Sequence, residues 1–128
     1  MILKDLMNPR VATTTPTTPV AQAAALMVEA NVGSAVVMQG RFLAGILTER
    51  DVLRAAASGQ DLSASLVSAW MTPDPHAASP GMSAEEAAQI MLLHGFRHLP
   101  IVEGREVCGI VSLRDLFASR IRRGPQDA

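Results

Sequence analysis

The sequence predicts an α/β (α+β) fold made of two β-α-β-β-α repeats packed with pseudo-twofold symmetry. Three observations predict it: an internal repeat at a constant offset of 64, a strand-turn-strand pattern in each copy, and an apolar content of 48%, which marks a chain with a core to bury. The offset pairs Met7-Asn8-Pro9 with Met71-Thr72-Pro73, Pro16 with Pro80, Ala23-Ala24 with Ala87-Ala88 and Met27 with Met91. Without a gap it goes on to pair Gly40-Arg41 with Gly104-Arg105, Gly45-Ile46 with Gly109-Ile110, and Arg50-Asp51 with Arg114-Asp115. Repeat 1 is placed at 1–59, a connection at 60–65, repeat 2 at 66–123 and a tail at 124–128. A half of this size buries too little surface for comfortable stability, so the two halves are expected to share one core, sheet against sheet.

Each copy is expected to open with a short lead-in helix and a short strand. In the first copy Thr18-Pro19 reads as a cap and a first-turn proline. Val20, Ala23, Ala24 and Met27 then keep one helical face, and Gly33 lies just beyond the end. In the second copy Ser83-Ala-Glu-Glu86 has capping-box spacing and Gly95 supplies the stop. Ser34–Met38 and Phe42–Leu47 flank Gln39-Gly40-Arg41, while Leu99–Val102 and Glu106–Val111 flank Glu103-Gly104-Arg105, the pattern of two hairpins. A helix closes each copy, and after Gly59 the stretch Gln60–Ser65 reads as the connection.

Charge and composition set aside several classes of function. With 11 basic and 12 acidic residues and a net charge of −1, the chain has no bulk attraction for nucleic acid or an anionic membrane. Cys108 is the single cysteine, so neither a disulfide framework nor a multi-thiolate metal site can be built within one chain. It reads as a reduced core residue. No apolar run approaches the roughly 20 residues a membrane span requires, and Lys4, Asp5 and Pro9 interrupt the N-terminus. A cytoplasmic protein is expected. His76, His94 and His98 lack close metal-ligand spacing, and no nucleophile-base pair stands out. The expectation is a non-enzyme with no metal and no required cofactor. The methionines Met7, Met27, Met38, Met71, Met82 and Met91 mostly fall on predicted apolar faces, where methionine fills gaps. Trp70 takes the repeat position of Leu6 and reads as packing for a lead-in helix.

The most informative residues are Gly45-Ile-Leu-Thr48-Glu-Arg-Asp51 and the copy Gly109-Ile-Val-Ser112-Leu-Arg-Asp115, each where a strand should pass into a helix. This pattern resembles the ligand signature of CBS domains, and the tandem arrangement resembles the paired unit called a Bateman module. Met-x-Pro at the start of each half and Arg97-His98-Leu99-Pro100-Ile101-Val102 strengthen the resemblance. It implies that Asp51 and Asp115 accept hydrogen bonds from ribose hydroxyls while Thr48 and Ser112 approach ribose or phosphate, in a cleft between the halves. An ionised carboxylate is acceptor-only and suits a cis-diol. Gly45 and Gly109 leave room for a ligand near the backbone, and the following helix N-terminus offers N–H groups to an anion.

Thr48-x-x-Asp51 and Ser112-x-x-Asp115 also have the spacing of an N-cap with an acidic third residue, and capping is compatible with binding. On the phosphate side the resemblance implicates Arg97 and His98, with Arg50 and Arg114 as further candidates, against a reading as solvent-facing charge or packing. The equivalents of Arg97-His98 in repeat 1 are Gly33-Ser34, which makes the two sites unequal toward anions. The resemblance places base contacts around Ala12-Thr13 and His76-Ala77; Ala12 and His76 stand where family members frequently carry threonine.

The implied function is a regulatory sensor of an adenosine-type nucleotide such as AMP, ADP or ATP, acting in trans on a regulated protein. Homodimerisation through exposed apolar helix faces is expected. One alternative is a dimerising scaffold with vestigial clefts. The other is a nucleic-acid-binding module using the basic stretch of Arg114, Arg120, Arg122 and Arg123.

Overall fold

The computed structural model describes residues 1–123, with side chains as far as Ala118. A 3-10 turn at Leu3–Asp5 is followed by β1 (Thr13–Thr14), α1 (Val20–Ala30), β2 (Ser34–Gln39), β3 (Phe42–Thr48) and α2 (Glu49–Ala57). The second series runs α3 (Val67–Trp70), β4 (Thr72–Pro73), α4 (Ala84–His94), β5 (His98–Glu103), β6 (Glu106–Ser112) and α5 (Leu113–Arg123). The mixed α+β class and the two hairpins stand as expected. Gly40 and Gly104 turn them with φ of 62° and 64°, a left-handed backbone that glycine adopts without a Cβ penalty. Both hairpins carry a register shift at the same repeat position, between Val37 and Met38 and between Ile101 and Val102.

The chain divides into two compact units, and these do not follow the sequence repeats. One is Val11–Pro75; the other joins Met1–Arg10 to the chain from His76 onward. Each repeat's lead-in segment thus completes the unit built on the other repeat's hairpin. In the first-repeat unit the sheet order is β1-β2-β3-β4, with β1 parallel to β2 and β4 antiparallel to β3. In the second-repeat unit β5 and β6 form the sheet, and the flanking positions shrink to isolated bridges, Ala78 with Ile101 and Asn8 with Ile110.

The backbone bonds that hold the lead-ins are repeated as well. The amide of Val67 donates to the Thr18 carbonyl and that of Ser68 to Pro16, just as Leu3 donates to Met82 and Lys4 to Pro80. The first amides of α1 are satisfied from the connecting stretch: Val20 donates to the Ser65 carbonyl and Ala21 to Leu62. Ala84 of α4 likewise donates to Met1. Since the first amides of any helix lack internal partners, this explains how α1 starts without a side-chain cap. Thr18-Pro19 is not the predicted cap and first-turn proline: Pro19 is the N-cap, and the Thr18 hydroxyl pairs with Thr15 at 2.7 Å. Ser83 does cap α4, accepting from the Glu86 amide at 3.1 Å. Gly95 ends α4 at φ 76°, and α1 ends at left-handed Asn31 with φ 56°, with Gly33 just beyond it. Asparagine is one of the few residues other than glycine that adopt this conformation.

Each unit has its own core. Ala23, Met27, Ala35, Val37, Leu47 and Val67 are buried together in the first-repeat unit, with Trp70 and Met71 packed against them. Leu3, Ala87, Met91, Leu99, Ile101 and Val111 form the main core of the second-repeat unit, flanked by Leu6, Met7 and Cys108. Here Gly45 and Gly109 find their role. A Cβ on Gly45 would lie 2.7 Å from Met71 Sδ and 2.8 Å from the Thr72 carbonyl oxygen; one on Gly109 would lie 2.5 Å from Met7 Sδ and 2.9 Å from its Cγ. The close approach expected of a ligand is made by the methionine of Met-x-Pro.

Gly45→Ala is expected to cost about 1–3 kcal/mol through overpacking, and more than Gly109→Ala, because Gly45 also faces backbone whereas the Met7 side chain can turn away. Adding Met7→Ala should relieve Gly109→Ala in equilibrium urea denaturation, while Met71→Ala should relieve Gly45→Ala only in part.

Candidate functional site

Each hairpin delivers its second strand directly into a helix, and that junction carries the signature residues. At the first, Thr48 is the N-cap of α2 and its hydroxyl accepts from the Asp51 amide at 3.3 Å. Asp51 reciprocates with Oδ2, which accepts from the Thr48 amide at 2.9 Å and from its hydroxyl at 3.0 Å. This is a complete capping box, two orphan donors satisfied by one pair of side chains. The other oxygen is also taken: Arg54 Nη1 donates to Asp51 Oδ1 at 3.2 Å. The Arg54 guanidinium lies 5.7 Å from the centroid of the Trp70 ring, within cation-π range. Asp51 is buried, with 6% of its surface exposed.

The second junction repeats the cap and little else. The Ser112 hydroxyl accepts from the Asp115 amide at 3.0 Å, and Asp115 Oδ2 accepts from the Ser112 amide at 3.1 Å. Asp115 is exposed. Ala118 stands at the repeat position of Arg54 and Leu6 at that of Trp70, so neither part of the arginine contact exists here. Among the described residues nothing bonds Asp115 Oδ1.

Backbone hydrogen bonds bring the start of the first hairpin strand to each junction. Leu113 donates to the Arg97 carbonyl at 2.8 Å, as Glu49 donates to Gly33 at 2.9 Å. His98 lies directly opposite Ser112 in the β5–β6 register, as Ser34 lies opposite Thr48. Arg97 and His98 are therefore held beside Ser112 and Asp115, with Arg97 exposed and His98 half-buried. Arg50 and Arg114 project into solvent from the first turns of α2 and α5.

The base-pocket candidates differ between units. Ala12 and Thr13 lie along β2: the Ala12 carbonyl accepts from Val36 at 2.9 Å and Thr13 pairs with Val36. Ala77 is exposed. His76 belongs to a three-ring stack that the sequence reading missed, 4.3 Å from His94 and 5.4 Å from Phe96 between ring centroids. The signal was available in the repeat register, where His76, His94 and Phe96 replace Ala12, Ala30 and Val32. Three aliphatic positions become three rings that meet in space.

Met27 and Met91 are buried and Met7, Met71 and Met82 pack against the cores. Cys108 is half-buried, its thiol 3.4 Å from the Ile101 carbonyl oxygen. No group of three or more metal-ligating side chains occurs among the described residues, and none of their helices is long and apolar enough to cross a membrane. The side chains of Arg120, Arg122 and Arg123 and the tail 124–128 lie outside the described residues.

A duplicated α+β chain whose two strand-to-helix junctions each place an acid in a helix cap defines a tandem-repeat module. The chain belongs to the CBS domain family, whose model matches residues 3–58 and 67–121. It is 40% identical to the CBS domain-containing protein YhcV of Bacillus subtilis over 120 residues, 93% of this chain and 85% of that protein. A CBS-domain containing protein of Agrobacterium tumefaciens superposes with a TM-score of 0.87 at 29% identity, covering 94% of this chain and 99% of that one. The fold is shared by CBSX2 of Arabidopsis thaliana in complex with AMP, with a TM-score of 0.81 and 24% identity over 96% and 98% of the two chains.

Asp51→Ala removes a buried acceptor of three bonds together with half of a capping box, a loss of about 1–2 kcal/mol. Asp115→Ala removes one exposed cap bond and should cost less. Equilibrium unfolding of both variants checks the order, and equal losses would contradict it.

Proposed function

We propose that the chain is a non-catalytic regulatory module that binds an adenosine-type nucleotide at the Ser112–Asp115 junction and passes the bound state to a protein partner in trans. The observation that carries this reading is the composition of that junction. A carboxylate with one oxygen uncommitted among the described residues sits at a helix N-terminus, next to an arginine and a histidine at the start of the neighbouring strand. An ionised carboxylate accepts the paired hydroxyls of a ribose, and Arg97 and His98 supply donors for a phosphate. In this reading the rings of Phe96, His76 and His94 offer apolar surface for a base. Family membership supports it, and the complex of CBSX2 with AMP means that the fold admits such a ligand. The same residues serve as cap and as anchor, since the cap uses only Oδ2.

The module is further proposed to act as a homodimer. Val28 and Leu53 are exposed on α1 and α2, and their repeat equivalents Leu92 and Phe117 are exposed on α4 and α5. Apolar side chains repeated at matching helix positions suit a self-complementary interface. Leu53→Asp with Phe117→Asp should therefore yield a monomer by sedimentation velocity while the wild type sediments as a dimer.

Melting in the presence of AMP, ADP, ATP, NAD or S-adenosylmethionine tests the ligand. A nucleotide at 100 times its Kd adds about 2.7 kcal/mol, several degrees for a domain of this size. Asp115→Asn should weaken that nucleotide by more than about 1 kcal/mol, since a charged acceptor is lost, and leave the unliganded melting point nearly unchanged. A panel that moves nothing would favour the scaffold reading, in which both acids only cap helices.

A further inference from the structure

We infer that the two junctions of one chain are not two equal sites: Arg54 occupies the acceptor at the first, so that one nucleotide is held per chain, at Asp115. This rests on the nucleotide reading above and specifies its stoichiometry. Asp51 has both oxygens committed, Oδ2 to the Thr48 amide and hydroxyl and Oδ1 to Arg54. The guanidinium does to Asp51 what a sugar diol would do, donating hydrogen to the oxygen that the cap leaves over. Asp51 is 6% exposed, so a diol would have to displace Arg54 and enter a position already closed. The Arg54 side chain is itself 61% exposed. An ion pair with so exposed a partner contributes little to stability, but an occupied acceptor still has to be vacated.

The second contact keeps the arginine in place. Its guanidinium lies over Trp70, and Trp70 is fixed by packing on the core of the same unit. Both parts of the clamp are missing from the second-repeat unit, where the register puts Ala118 for Arg54 and Leu6 for Trp70. The same unit has Arg97-His98 where the first has Gly33-Ser34. The cation needed to hold a phosphate is thus present where the acid is open. Where the acid is closed, the equivalent cation is absent.

Isothermal titration calorimetry on the full chain with AMP, ATP and S-adenosylmethionine, each titrated separately, tests this. The wild type should take up one equivalent per chain. Arg54→Ala should take up two, with the added site at least tenfold weaker for lack of Arg97 and His98 equivalents. Arg54→Ala with Asp115→Asn should retain only the weak one. Conversely, Ala118→Arg should weaken the wild-type site at least tenfold by supplying Asp115 with an internal donor. Two equivalents in the wild type, or one in Arg54→Ala, would overturn the inference and leave the nucleotide reading standing. Absence of heat from wild type and Arg54→Ala alike, with every ligand, would overturn both.

Discussion

A carboxylate has two oxygens and about four lone-pair positions, and at both junctions the fold claims part of that capacity before any ligand arrives. The turn from β3 into α2 and from β6 into α5 exposes the backbone amides of Thr48 and Ser112, and in each case the acid three residues on accepts one. Without that bond the helix would start on an unsatisfied donor. What a junction can do chemically is what remains after the cap is made. Among the described residues Asp115 keeps one oxygen without a donor; at Asp51 the Thr48 hydroxyl and Arg54 add two more bonds, so that each oxygen has a donor. The cap is thus not a rival to binding. It fixes the acid's rotamer, so that the leftover oxygen has a defined position.

The junctions are positioned by an exchange between repeats. Thr72 and Pro73 pair with Ile46 and Gly45, and Asn8 bridges to Ile110, so each signature strand is flanked on one side by chain from the other repeat. That contact is close because the strand carries glycine where Met71 or Met7 crosses it. The glycine and the Met-x-Pro motif, which each contact takes from different repeats, are therefore two halves of one packing contact. A sequence repeat here is not a folding unit: the chain must complete residues 67–73 before the first hairpin has its last strand, and the first lead-in waits for the second hairpin.

The strands were legible because β-rich runs flanking a glycine turn have few other structures open to them, and the register doubled every observation. Gly95 and Ser83 were legible as helix ends for the same local reason. The start of α1 was not, because its first amides are satisfied by carbonyls of Leu62 and Ser65, more than 40 positions away, and no local pattern announces a distant acceptor. Gly33 does lie just beyond α1, but the left-handed residue that ends the helix is Asn31, two positions earlier. Gly45 and Gly109 each have a methionine where a Cβ would lie: a sequence shows that a Cβ is absent, not what fills its place. The roles of Arg54 and the ring stack are not legible in the repeat, because each depends on residues that differ between the two copies.

A duplication supplies its own comparison. The copies share backbone topology, so a difference at an equivalent position is a difference in side-chain work alone. Residues that build the junction agree: Gly45 with Gly109, Met71 with Met7, Thr48-Asp51 with Ser112-Asp115. Other positions differ, with His76, His94, Phe96, Arg97 and His98 in one unit set against Ala12, Ala30, Val32, Gly33 and Ser34 in the other. Here the three rings meet in space and Arg97 and His98 are tied to the open acid by a backbone bond and strand register. The closed acid is instead paired with an arginine that the other unit lacks. The two junctions therefore share the cap and differ in what else bonds the acid: Asp51 also accepts from the Thr48 hydroxyl and Arg54, while among the described residues Asp115 accepts only the Ser112 amide.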